Sequence, residues 1–147
     1  MRLRSYVIAA GAACLCLSAA FAQEGPIAAR QALMKANGQA AGALGAIAKG
    51  EKPYDAATVR SALTTISTDM KAFPDQFPAG SDTGKTKALP AIWQNPDGFR
   101  ALSAKLASEA EALVATLPAD RAGVGAALGR LGPICSECHK TYRAPAN

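Results

Sequence analysis

Near the end of the chain two cysteines stand three positions apart, with a histidine directly behind the second: Cys135-Ser136-Glu137-Cys138-His139. Thiols at that spacing on one helix can form thioethers to the two vinyl groups of a single haem, and the residue after the second thiol then lies below the iron. A thioredoxin-like redox pair would share the cysteines, but it needs a strand–helix–strand context and leaves His139 without a role. A structural zinc site wants four protein ligands. Only Cys135, Cys138 and His139 are on offer once Cys14 and Cys16 leave with the leader described below. The pentad reads as covalent attachment of one haem c, with His139 as the proximal metal ligand.

His139 is the only histidine in the chain. Bis-histidine ligation, a catalytic triad and a zinc-protease helix are all excluded, and no free imidazole is left for general acid–base work. The sixth position on iron falls to methionine, water, a weaker side chain or nothing. Met34 and Met70 are the methionines to weigh. Met70 falls on a core position of its helix, whereas Met34 lies beside an apolar stripe within Arg30-Gln31-Ala32-Leu33-Met34-Lys35. Arg30, one helical turn before Met34, would reach the same edge of a haem and pair with a propionate. Arg143, one turn beyond His139, either bonds near the imidazole or a propionate or serves as the positive charge favoured at a helix end.

The amino terminus reads as an export signal. Arg2 and Arg4 precede an apolar run from Val7 to Phe21, and Ala20-Phe21-Ala22 offers the small residues a signal peptidase reads. Cleavage after Ala22 is expected, so residues 1–22 form the signal peptide and residues 23–147 one domain in the periplasm, with no stable membrane insertion. The formal charge of +5 falls to +3 with the loss of Arg2 and Arg4. No basic stripe with interleaved aromatics accompanies it, so nucleic acid is not an expected partner.

The remaining elements must hold the pentad. Strand-like alternation is missing and alanine is abundant, so an all-α fold is expected, with four helices and short turns except one. The first runs from Pro26 to Lys49, with Leu33, Ala40, Leu44 and Ile47 as its apolar stripe and Gly50 as its stop. The second, Asp55 to Phe73, carries Val59, Leu63, Ile66, Met70 and Phe73 at the spacing of a bundle seam. The third spans Pro96 or Asp97 to Leu117, burying Phe99, Leu102, Leu106, Leu113 and Leu117. The fourth starts near Pro118 or Ala119 and places Val124, Leu128, Leu131, Cys135 and Cys138 on one face. The crossover from Pro74 to Asn95 is long for so small a domain, and Trp93 is its expected pin over the haem edge.

A carboxy-terminal Cys-x-x-Cys-His in an exported helical chain resembles the class II cytochromes c, the cytochrome c-prime family. The resemblance extends through Arg30-Gln31-x-x-Met34, Lys49-Gly50-x-x-Pro53-Tyr54-Asp55, Phe77-Pro78-x-Gly80-Ser81, Pro90-x-Ile92-Trp93, Phe99 and Tyr142-Arg143. It implies an antiparallel four-helix bundle with haem inside, His139 on iron, and Arg30 and Gln31 near the propionates. The family divides at the other axial position. Low-spin members place a first-helix methionine on iron and carry electrons; high-spin members leave iron five-coordinate and bind nitric oxide or carbon monoxide. Leu33-Met34-Lys35 is more similar to the low-spin cytochrome c-556 type, so Met34 is the expected second ligand. The expected function is non-enzymatic transport of single electrons to and from periplasmic redox partner proteins, with the gas-binding type as the alternative. A substrate oxidoreductase is disfavoured because no distal acid–base group is visible. Lys49 and Lys52 are candidates for a docking surface, and a homodimer through the first two helices is compatible with the resemblance.

Overall fold

Caps and breakers divide the chain into helices. The computed structural model describes residues 25–145, and the expected signal peptide lies outside them. The helices are α1 (Pro26–Lys49), α2 (Ala56–Ala72), a one-turn α3 (Ala91–Gln94), α4 (Pro96–Ala115) and α5 (Arg121–Tyr142), with a 3-10 turn at Phe73–Gln76. Pro26 opens α1, where its missing N–H costs nothing. Gly50 closes α1 at φ +79°, donating to the Ile47 carbonyl at 2.9 Å while Glu51 N–H reaches the Ala46 carbonyl at 2.9 Å. Asp55, Asn95 and Asp120 each accept a backbone N–H of the first turn they precede, from Thr58, Gly98 and Gly123.

Two boundaries differ from the sequence reading. α4 ends at Ala115 rather than Leu117, and α5 begins at Arg121 rather than near Pro118. Pro118 has no N–H to give the Val114 carbonyl and restricts the residue before it. Arg60 Nη1 supplies the missing donor to Val114 at 3.4 Å. Asp120 is the better cap, so the last helix starts behind it.

Around the bundle, α1 packs on α2 and α5, and α4 packs on α2 and α5. Neighbours run antiparallel: Asn37 of α1 reaches Asp69 of α2, Arg60 and Met70 of α2 bond to Val114 and Ser103 of α4, and Glu109 of α4 pairs with Arg130 of α5. Val59, Leu63, Ile66, Met70 and Phe73 are all buried, as their spacing predicts. They meet Ala40, Leu44 and Ile47 of α1, Phe99, Leu106 and Leu113 of α4, and Val124 and Leu131 of α5. Each large aliphatic side chain so buried stabilises the fold by roughly 1.5–3 kcal/mol before entropy is counted. Leu102 and Leu33 are only half-buried, and Ala127 and Ile134, not Leu128 and Cys135, complete the buried stripe of α5.

The long link leaves α2 and returns to α4 at the same end of the bundle. On the way it passes the start of α1 and the end of α5. Ala88 pairs with Arg143, Leu89 N–H donates to the Tyr142 carbonyl at 3.0 Å, and Ala144 N–H donates to the Lys87 carbonyl at 2.8 Å. Phe77 packs edge-on against Phe73, Phe99 and Trp93 at centroid distances of 5.0, 4.8 and 5.9 Å. Among the described residues, no helix is long and apolar enough to cross a membrane.

Candidate functional site

Cys135, Cys138 and His139 sit in the last two turns of α5, beside its buried stripe rather than within it. All three are half-buried, and the two cysteines are not joined to each other. Leu128, Cys135 and Cys138 of α5 are partly buried against the core, and so are Leu33, Met34 and Ala48 of α1. α1 and α5 run antiparallel: Gly50, just past the end of α1, lies against the side chain of Arg121 at the start of α5. Sixteen residues back along α1 stands Met34, and sixteen on along α5 stands Glu137. The start of α1, which carries Met34, and the end of α5, which carries the pentad, therefore lie at one end of the bundle.

Burial pushes the Cys135 thiol up. It pushes Cys138 up to about 11, with smaller additions from Cys135 and Glu137. Thiols kept protonated are poor attacking groups for disulfide exchange, which needs the thiolate. Desolvation, reinforced by the Arg143 charge, lowers the His139 pKa and favours the neutral imidazole that a metal requires. Among the described residues no group of three or more His, Cys, Asp or Glu could hold a bare metal ion.

Arg30 tests whether haem fits. The residue is 4% exposed, yet no carboxylate of the described residues lies within ion-pair distance of it. Nη2 donates to the Ser81 carbonyl and to Thr86 Oγ1 at 3.2 Å, and Nη1 to Ser81 Oγ at 3.4 Å. Phe77 lies 4.7 Å and Trp93 5.9 Å from the guanidinium carbon. Nε is buried with no partner. Desolvation lowers the Arg30 pKa, though a guanidinium stays charged at any ordinary pH. A buried cation with an unspent donor calls for an anion, and a haem propionate is one. The residues fit the group: Cys135 and Cys138 would hold it, His139 would ligate its iron, and Arg30 would take a propionate.

The other expected residues lie around the same end. Trp93 donates from Nε1 to the Pro78 carbonyl at 3.2 Å, so it ties the link to itself beside Arg30. Gln31 is exposed and donates to the Lys85 carbonyl at 2.9 Å. Arg143 is exposed, and its N–H closes α5 onto the His139 carbonyl at 3.2 Å. Tyr142 is buried against Phe99, centroids 5.2 Å apart. Lys49 and Lys52 stand at the far end of the bundle from the pentad. Sequence reasoning passed over Thr86 and gave Ser81 no role. Small hydroxyl residues in a link carry no pattern, and only the fold shows that they meet Arg30.

The fold and site together define a four-helix c-type haem protein. A family model described as Cytochrome C' matches residues 25–143, and the chain belongs to that family. Cytochrome c-556 of Agrobacterium fabrum is 52% identical over 143 residues, 97% of each chain. Cytochrome c' from Rhodopseudomonas palustris superimposes with a TM-score of 0.79 at 40% identity, covering 85% of this chain and 100% of that one. An NMR-validated structure of oxidised R. palustris cytochrome c556 gives 0.76 at 33% identity over the same shares. The chain is accordingly a haem c cytochrome of electron transport, similar to the c-556 type.

Proposed function

We propose that this cytochrome is a periplasmic carrier of single electrons whose iron is ligated by His139 and Met34. The observation that supports the reading is that Met34, Cys135 and Cys138, all partly buried against the core, stand at the same end of two helices that pack together. The high identity to a cytochrome c-556 supports it. Haem supplies the reversible one-electron couple; the chain supplies its surroundings. Cys135 and Cys138 keep the cofactor attached through both oxidation states. His139 and Met34, on two packed helices, would hold the iron's surroundings nearly constant between oxidation states and so keep reorganisation small. Thioether ligation favours a higher potential than a second imidazole would give. Arg30 fixes the cofactor's orientation through a propionate and offsets its charge.

Absorption spectra of the ferric and ferrous protein, with and without carbon monoxide, test the ligand set. Low-spin spectra indifferent to carbon monoxide are expected, and Met34→Ala should convert them to high-spin spectra that shift on adding the gas. A wild-type protein already high-spin and responsive to carbon monoxide would overturn Met34 ligation in favour of an open, gas-binding site. Export is checked by intact mass, expected as a chain from Gln23 plus one haem.

A further inference from the structure

Asn37 lies on α1 one turn beyond Met34, and its amide is engaged on one side only. Nδ2 donates to Asp69 Oδ2 at 3.2 Å and to the Leu33 carbonyl at 2.9 Å, the carbonyl of the peptide that leads into Met34. Oδ1 is buried with no partner. Turning the amide over would set that oxygen against both the carbonyl and the carboxylate, so its orientation is fixed. A hydrogen-bonded path thus joins the Asp69 carboxylate to the backbone that carries Met34. Asp69 itself stands in the last turn of α2, at the end of the bundle that carries the pentad.

Asp69 is half-buried, and among the described residues no cation lies within ion-pair distance of its carboxylate. On its own helix, Lys71 pairs with Glu111 of α4 at 2.9 Å, and Arg60 gives Nη1 to the Val114 carbonyl. Arg100 of α4 pairs with Asp75 of the 3-10 turn at 3.5 Å, and Glu109 of α4 pairs with Arg130. On the facing half of α1, Arg30 bonds to Ser81 and Thr86, and Lys35 is exposed without a carboxylate partner. An open groove along α2, lined by Arg60, Ser61, Thr65, Thr68 and Asp69, connects the carboxylate to solvent. Burial also holds its proton to higher pH than an exposed aspartate would.

A carboxylate with no cation beside it and a route for protons responds to a change of charge nearby. An electron added at this end of the bundle favours the protonated acid. We propose that Asp69 is a redox-linked proton site, taking up one proton as the cytochrome is reduced and releasing it on oxidation. The exchange balances: one electron comes from the redox partner and one proton from solvent, and the only bond made or broken is the Asp69 O–H. The proposal deepens the carrier reading and rests on Met34 facing the iron. Its consequence is a potential that falls as pH rises through the Asp69 titration, because the ionised carboxylate disfavours the added electron.

The test uses the full haem-loaded chain, whose ligand set is first established by spectra with and without carbon monoxide. Asp69→Asn removes the proton site and keeps the shape. Glu111→Gln removes an exposed carboxylate of α4 and serves as control. Two readouts are taken: the reduction potential as a function of pH, and the infrared difference between ferrous and ferric protein within the range where the potential falls. Wild type should lose potential as pH rises above 3.8 and gain a carboxylic C=O band on reduction. Asp69→Asn should lose that band and show the higher potential at neutral pH, with the gap closing toward low pH. Glu111→Gln should keep the band and the pH dependence. An Asp69→Asn potential parallel to wild type at every pH, or a band that survives in it, would overturn the proposal, as would loss of the band in Glu111→Gln. High-spin spectra responsive to carbon monoxide would overturn the ligand reading and this proposal with it. Low-spin spectra followed by any of the other failures would overturn the proposal alone.

Discussion

Asp69 sits on α2 with its carboxylate toward α1, where Asn37 Nδ2 donates to it at 3.2 Å. Burial raises its pKa above the ordinary 3.8, because one long amide bond replaces less hydration than is lost. The folded state thus holds the proton more readily than the unfolded chain. Ionised Asp69 opposes folding at neutral pH, and that opposition is relieved as pH falls through the raised folded value. Asp69→Asn keeps the shape and an acceptor for Asn37. The variant should be the more stable at pH 7, by urea midpoint, with the gap closing as pH falls and gone below about 3.8. A gap independent of pH would mean that packing, not charge, separates the two. Arg30 illustrates the other way to manage a buried-edge charge. Its sequence setting, one turn before Met34, pointed to a propionate; its bonds to Ser81 and Thr86 could not be read there.

At the scale of the element, the same substitution has opposite signs at two glycines. Gly50 stands at φ +79° where α1 stops, and a Cβ there would come within 2.6 Å of Arg121 Nη1. Gly50→Ala is expected to destabilise by about 1 kcal/mol through left-handed strain, since the Arg121 side-chain tip can swing aside. Gly125 lies inside α5, and a Cβ there would meet nothing within 4 Å. Gly125→Ala should stabilise by roughly 0.5–1 kcal/mol, because alanine loses less entropy on entering the helix. Thermal melts of the two haem-loaded variants check both signs. A Cβ at Gly129 or Gly132 would likewise meet nothing within 4 Å, so contacts within the chain do not require glycine there. Helix limits were legible wherever a cap residue stood alone, as at Pro26, Asp55 and Gly50. They slipped between Leu117 and Asp120, where a proline and an aspartate compete to start the next helix.

For the molecule as a whole, the link behaves as part of the bundle. Arg30 and Gln31 of α1 bond to it, Tyr142 and Ala144 pair with its later residues, and Phe77 fills a gap among Phe73, Phe99 and Trp93. A segment so tied should not open before the helices melt. Trp93 is the only tryptophan and lies within the link. In urea, its fluorescence and the far-UV circular dichroism of the helices should report one coincident transition. An earlier tryptophan transition would mark the link as an independent, weaker unit.

The sequence by itself determined the haem attachment, the helical class and most helix limits. Each rests on local chemistry: two thiols and an imidazole at fixed spacing, apolar residues at helical period, caps at helix starts. Only the tertiary structure decided what those parts meet. Met34 and the pentad stand at the same end of the bundle because α1 and α5 pack antiparallel, which spacing within one helix does not set. Arg30 proved to be enclosed by a link more than fifty residues away in the chain. Burial of a charge and its unspent donors depend on what the whole fold brings against it, and no local pattern encodes that.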